Sequence, residues 1–297
     1  MIRLFSFLSG DWRRAFFLLG CVAVSGVSSV RALELRQERV GETDLAVSGL
    51  LKGISAGQTR YVRWADLRAL PTEKLKLTGE FVPGEQEVTV VFLAELWKVL
   101  PLADSADTLL ARCNDGYASI YRDRFVEKQR PFLVLEINGQ GPEKWPPPGL
   151  AFNPGPYVIT VSDTVAPGVS RLLDVEHKKP WGVSSLEIAN YAERDRDLFS
   201  GKWAKLSARA QDGREIWVNS CASCHRGPGN SFCGTKSDRP FEVLAAHAQY
   251  NPDYFKKYVR DPKSLVPTAK MEPHPHYTDA QLEALIAFIT AAATAPP

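Results

Sequence analysis

Five consecutive residues, Cys221-Ala222-Ser223-Cys224-His225, constrain this chain more than any other stretch. Two thiols at Cys-x-x-Cys spacing at the end of a helical turn can both point toward one edge of a flat ligand, and the imidazole that follows adds a nitrogen donor beside them. That run is the attachment pattern of a c-type haem, in which two thioethers tether the porphyrin and the imidazole supplies one axial bond to iron. Other chemistries compete for the same residues. A redox dithiol needs only the Cys-x-x-Cys part and usually follows a strand in a βαβ setting, which the surrounding text lacks. A zinc site needs four ligands and could recruit Cys233, but it gains nothing from a histidine adjoining Cys224. A chance run that binds nothing is the remaining alternative.

The sixth position decides what an iron held there can do. Apart from Met1 the chain has a single methionine, Met271, in the run TAKMEPHPHY. Its thioether is a soft ligand with no proton to lose, and a proline-flanked methionine is not an obvious core choice. His274 and His276 are rivals for the same role. His247 reads as a helix or loop histidine, and His177 lies outside the tail.

The 297 residues, 44% of them hydrophobic, suit two domains better than one. Lys and Arg (36) nearly balance Asp and Glu (34), and the basic residues are scattered, so charge gives no argument for a nucleic-acid partner. Residues 1–32 carry Arg3, Arg13 and Arg14 ahead of the apolar run AFFLLGCVAVSGVSSV and read as an export signal or membrane anchor. Val30 and Ala32 offer small residues for cleavage, Leu18 to Cys21 approximate a lipoprotein box, and Arg13-Arg14 with Phe16-Phe17 approximate a twin-arginine signal. Ser25, Gly26, Ser28 and Ser29 dilute the run as a span. The expected location is the periplasm, soluble or tethered to a membrane. Beyond Cys21 the cysteines are Cys113, Cys221, Cys224 and Cys233, so Cys113 and Cys233 could pair if the other two hold a cofactor.

Two textures follow the leader. VTVVF, TLLARC, FLVLEI and YVITV read as strands and LAELWKVL as a short helix, separated by DGY, NGQG and EKWPPPGLAFNPGP. This front part, residues 33–195, is mixed α/β. Residues 196–297 carry helical signals instead. GREIWVNSCASCH suggests a helix running into the cysteines, and NPDYFKKYVRDP one capped by Asn251 with Pro252 in its first turn and Pro262 at its end. TDAQLEALIAFITAAA pairs Thr278 with Gln281 at capping-box spacing and lines up Leu282, Leu285, Ile286 and Ile289.

The tail resembles class I cytochrome c. The likeness rests on Gly213 and Trp217 ahead of the cysteines, LIAFI at Leu285 to Ile289, and VRDPKSLVPTAKM before the methionine. It implies one covalently attached haem c, with His225 and Met271 as axial ligands and two crossing helices that bring Gly213 to a close approach and Trp217 near Phe288. Six-coordinate iron leaves no vacant substrate site, so electron transfer at a comparatively high potential is expected. Two features depart from the family: proline follows Glu272 rather than Met271, and NSFCGTK inserts a cysteine.

The front part resembles the sulfite-oxidase-type molybdopterin-binding domain. WADLRALP (64–71), VFLAELWKVL (91–100), DGYASIY (115–121), FLVLEINGQGP (132–142) and KPWGVSSLEI (179–188) are its landmarks. A working member places a molybdenum-ligating cysteine well upstream of its DGY-like segment, whereas here no cysteine lies between Cys21 and Cys113. A cofactor-free descendant is therefore expected, with molybdopterin not excluded. Together these readings describe a two-domain α+β protein. Its expected role is that of a mono-haem cytochrome carrying electrons between redox proteins or to a membrane respiratory complex, its front domain used for docking or assembly. One alternative is a molybdopterin-dependent oxidoreductase passing electrons from a small substrate to the fused haem. Another is a structural subunit of a redox complex.

Overall fold

In the computed structural model, residues 33–79, 84–194, 205–228 and 233–294 are described. The leader at 1–32 and the division placed near residue 195 lie outside them. The front part is a nine-stranded sheet, with β1 (Leu45–Gly49), β2 (Arg60–Val62), β3 (Glu73–Thr78), β4 (Glu85–Phe92), β5 (Thr108–Cys113), β6 (Ala118–Arg122), β7 (Phe132–Ile137), β8 (Tyr157–Thr160) and β9 (Trp181–Ala189). Three short helices, α1 (Trp64–Arg68), α2 (Leu93–Val99) and α3 (Asp123–Gln129), lie between them, and α4 (Tyr191–Arg194) follows β9.

The strand order is β2-β1-β9-β8-β7-β4-β3, with β5 joined to β9 and β6 to β5. Every pairing is antiparallel except β1 on β9, where Val47 lies opposite Leu186. Successive side chains of a strand point to opposite faces, so a strand buried on both sides reads as a continuous apolar run. VTVVF and FLVLEI do so in β4 and β7. Val91, Leu133 and Ile159 enter one apolar cluster with Leu93, Leu96 and Leu186, while Val90, Phe132, Val134 and Val158 enter another on the opposite face.

The tail is helical: α5 (Ala208–Asn219), α6 (Phe241–Tyr250), α7 (Pro252–Arg260), α8 (Pro262–Leu265) and α9 (Asp279–Thr294). Two of their caps are those the sequence signals, and Ser207 adds a third. Ser207 Oγ accepts from Ala210 N at 3.2 Å, and Asn251 Oδ1 accepts from Tyr254 N at 3.1 Å. At the start of α9, Thr278 N donates to Gln281 Oε1 at 2.8 Å while Gln281 N donates to Thr278 Oγ1 at 3.3 Å, a reciprocal capping box. Leu282, Leu285 and Ile289 are buried as expected, but Ile286 is only partly so, and Ala284, Phe288 and Ala292 complete the inward face. The helix ahead of the cysteines ends at Asn219 rather than running into them.

The two parts share a core. Leu110, Ile120 and Ala189 from the sheet join Ile216, Trp217, Leu285 and Phe288 from the helices in one apolar cluster. Within it α5 meets α9 so closely that a Cβ on Gly213 would stand 1.9 Å from Ala284 O. Glycine inside a helix costs about 1 kcal/mol against alanine, so its presence here reflects the approach of the two backbones. Gly213→Ala is therefore expected to lower stability by about 1–3 kcal/mol. A reduced midpoint of urea unfolding checks this, and an unchanged midpoint would mean that the two helices part without cost.

Candidate functional site

Cys221, Ala222 and Ser223 form a single 3₁₀ turn directly after α5. Ser223 N donates to Ser220 O at 3.0 Å, Cys224 N to Cys221 O at 3.2 Å and His225 N to Cys221 O at 2.9 Å, so the turn is tied to its own backbone. Its apolar residue, Ala222, is buried in the shared core with Ile120 of β6. A second segment holds the turn from the other side. Gly234 N donates to Ala222 O at 2.7 Å, Thr235 N to Gly116 O at 2.6 Å and Ser237 N to Cys224 O at 3.0 Å. A Cβ on Gly234 would come within 2.0 Å of Ser223 O, so only glycine fits there. Lys236 Nζ pairs with Asp115 Oδ2 at 2.7 Å. The insert around Cys233 thus zips the cysteine turn to the Asp115-Gly116-Tyr117 turn of the front part.

Two of the candidate donors share an apolar lining. Cys221 and Met271 are both partly buried against the core that holds Trp217 and Phe288. The Trp217 ring lies 5.1 Å from Phe241 at 90°, 6.2 Å from Phe288 and 6.3 Å from His225, as the helix crossing implies. His225 Nδ1 and Trp217 Nε1 are buried with no hydrogen-bond partner. Buried orphan polar atoms are uncommon and call for a ligand or another partner. Burial lowers the His225 pKa, favouring the neutral imidazole that a metal requires.

Burial pushes the Cys221 thiol up to about 12 and the Cys224 thiol up to about 11. A redox dithiol activates its cysteine by lowering that value, so the thiols here do not suit disulfide exchange. Among the described residues no group of three or more His, Cys, Asp or Glu is placed to hold a metal ion, which disfavours a four-ligand zinc site. Cys233 Sγ instead accepts from Gly227 N at 2.8 Å. Two thiols, one neutral imidazole and one thioether beside an apolar lining have the chemistry that a c-type haem would need. Cys113, at the end of β5, is buried, and that burial pushes its thiol up to about 12. No disulfide joins it to Cys233 among the described residues.

The histidines sort themselves by contact. His247, on α6, meets Tyr254 edge-on at 6.2 Å. Burial, with His276 and His225 nearby, holds His274 down to about 4, and its backbone N donates to Val259 O at 3.0 Å. His276 rests on Tyr277, ring centres 4.5 Å apart. His177, which its position in the chain sets apart from the tail, stacks on His274 at 5.4 Å, and its Nδ1 lies 2.7 Å from Tyr117 Oη. Sequence reasoning missed this neighbourhood of Tyr117, Asp174, His177 and Tyr277. Only the DGY landmark pointed near it, because contacts between residues so distant in the chain leave no spacing to read.

Residues 208–289 match the family described as cytochrome c oxidase, cbb3-type, subunit III. Cytochrome c oxidase subunit 2 of Alkalihalophilus pseudofirmus is 31% identical over 84 residues, 27% of this chain, and the chain spans only 25% of that relative. Among solved structures, the sulfane dehydrogenase SoxCD of Paracoccus pantotrophus aligns with 52% of this chain and 40% of its own at 14% identity and a TM-score of 0.34. The helical tail is thus a cytochrome-related domain following a mixed α/β domain.

The half-buried His177 gives the interface a pH dependence. Burial, then His274, Lys178 and His276, hold its pKa at about 3 against an ordinary 6.5. Between those values the unfolded chain binds a proton that the folded chain does not. The associated stability is whole above pH 6.5 and drains as the pH falls toward 3. Urea melts across this window are expected to show the decline, with His177→Gln flattening it; equal slopes in both proteins would remove His177 as the cause.

Proposed function

We propose that this chain is an electron-transfer protein whose tail carries one haem c. Cys221 and Cys224 would tether the group, and His225 and Met271 would supply ligands to its iron. A haem so bound supplies a one-electron ferric/ferrous couple, with the thioether favouring a comparatively high potential. The observation that carries the reading is that Cys221 and Met271 pack against the apolar core that holds Trp217, with the His225 ring 6.3 Å from Trp217 and its Nδ1 buried without a partner. The chain's own residues keep water from that site. Trp217, Phe241, Leu285 and Phe288 are buried around it, and α5 and α9 are locked at Gly213, which limits rearrangement when the charge changes.

The front domain serves in this reading as the docking side for a redox protein or a membrane respiratory complex. The latter draws on the likeness of the tail to subunits of cytochrome c oxidases. A periplasmic site of action rests on the leader reading; no helix among the described residues is long and apolar enough to cross a membrane. A second reading, an oxidoreductase that takes electrons from a small substrate in its front domain and passes them to the haem, is favoured by one observation. The cysteine turn is seated on β6 and bonded through Gly234 and Thr235 to Gly116, so the two parts are in direct contact. Molybdopterin would be the cofactor, although Cys113 lies only two residues before Asp115 rather than well upstream of it.

A cofactor inventory of matured protein tests both. Alkaline pyridine spectra and intact mass should give one covalent haem, lost as a covalent adduct in Cys221→Ala/Cys224→Ala. Met271→Ala should lose the weak sulfur-to-iron absorption and show a lower potential. If neither property changes, His274 or His276 takes the sixth position. Stoichiometric molybdenum with substrate-dependent haem reduction would establish the oxidoreductase over the carrier.

A further inference from the structure

The segment from Met271 to Tyr277 is tied down by few bonds of its own domain. His274 N reaches Val259 O at 3.0 Å, and Arg260 Nε reaches Tyr277 O at 3.0 Å. The front domain adds two contacts. Tyr277 Oη donates to Asp174 Oδ1 at 2.6 Å across 103 residues of chain, and His177 stacks on His274. Tyr277 itself is only 2% exposed. Asp174 sits just ahead of a 3₁₀ turn, Val175–Lys178, that β6 holds rigidly: Ser119 Oγ donates to His177 O, Tyr121 Oη to Lys178 O at 3.0 Å, and Lys178 Nζ returns a bond to Ile120 O at 2.8 Å. The opposite face of β6 presents Ile120 to the core shared with Ala222 of the cysteine turn. One strand of the front domain therefore fixes the position of both the cysteine turn and the methionine segment.

Resting on the haem reading above, we infer that Asp174 and Tyr277 form an interdomain latch that positions Met271 as the sixth ligand. They are positioning residues, acting through the backbone between Met271 and Tyr277 and touching no reactant. A charge-assisted hydrogen bond at 2.6 Å between partly buried groups is among the stronger side-chain contacts and resists local opening of the segment that carries the thioether. Electron traffic from the front domain would then meet an iron whose ligand set that domain itself maintains.

The full chain with haem tests this, using Tyr277→Phe, Asp174→Ala, Asp174→Asn and the Tyr277→Phe/Asp174→Ala pair. Phenylalanine keeps the ring and removes only the donor; asparagine keeps an acceptor oxygen. Tyr277→Phe and Asp174→Ala are each expected to weaken the sulfur-to-iron absorption, lower the potential and speed capture of the iron by added imidazole about tenfold. The double variant should add little to either single one, because both remove the same bond. Asp174→Asn should recover most of the wild-type absorption and imidazole rate. Variants that bind haem and keep wild-type absorption, potential and imidazole rate would overturn the latch while leaving the haem reading intact. A wild-type chain that takes up no haem would overturn both.

Discussion

The contact between the backbones of α5 and α9 at Gly213 and Ala284 is the constraint on which the tail depends. With no side chain to hold them apart, the helices close to a separation at which Trp217 reaches Phe288 and Phe241. That packing sets where α5 ends, and the cysteine turn begins at its end. Position is therefore passed to Cys221, Cys224 and His225 by helix packing rather than by the turn's own few hydrogen bonds. The same core accepts Ile120 and Leu110 from the sheet, so the turn is seated against the front domain by the contacts that stabilise the tail.

Much of this was legible in the sequence because local chemistry and global position agree there. Strands buried on both faces read as apolar runs, and Asn251, Thr278 and Gln281 cap helices at the positions their side chains favour. The choice of Cys221, His225 and Met271 as candidates came from the sequence because a Cys-x-x-Cys-His run leaves few chemical uses and methionine is scarce. The end of α5 at Asn219 was misplaced by a few residues, since propensity does not register the tighter 3₁₀ turn that the core and Gly234 impose. Ile286 was assigned inward because a stripe at helical spacing does not specify which of two neighbouring rows faces the partner; Phe288 and Ala284 take that face.

The interdomain contacts were illegible for a different reason. Asp174 and Tyr277, His177 and His274, and Gly116 and Thr235 are joined only by the way β6 lies against the helices. None has a sequence spacing that chemistry requires. In composition the chain divides near residue 195, yet its burial does not, because the apolar cluster of the tail includes sheet residues.

These two kinds of contact have different consequences for the site. The apolar core supplies most of the adhesion, being roughly proportional to area removed from water and indifferent to small displacements. Directional bonds such as that from Tyr277 to Asp174 add less to adhesion and more to geometry, since they weaken steeply with distance and angle. A metal-ligating side chain needs the second kind, because its atom must stay within a bond length of its target. The methionine segment has little secondary structure to provide this, unlike Trp217 or Phe288 on their helices. Its geometry is accordingly borrowed from β6, which is held in register by β5 and so by the whole sheet. On the proposed ligation by Met271, the front domain is part of the tail's site in a physical sense, whatever cofactor it holds itself.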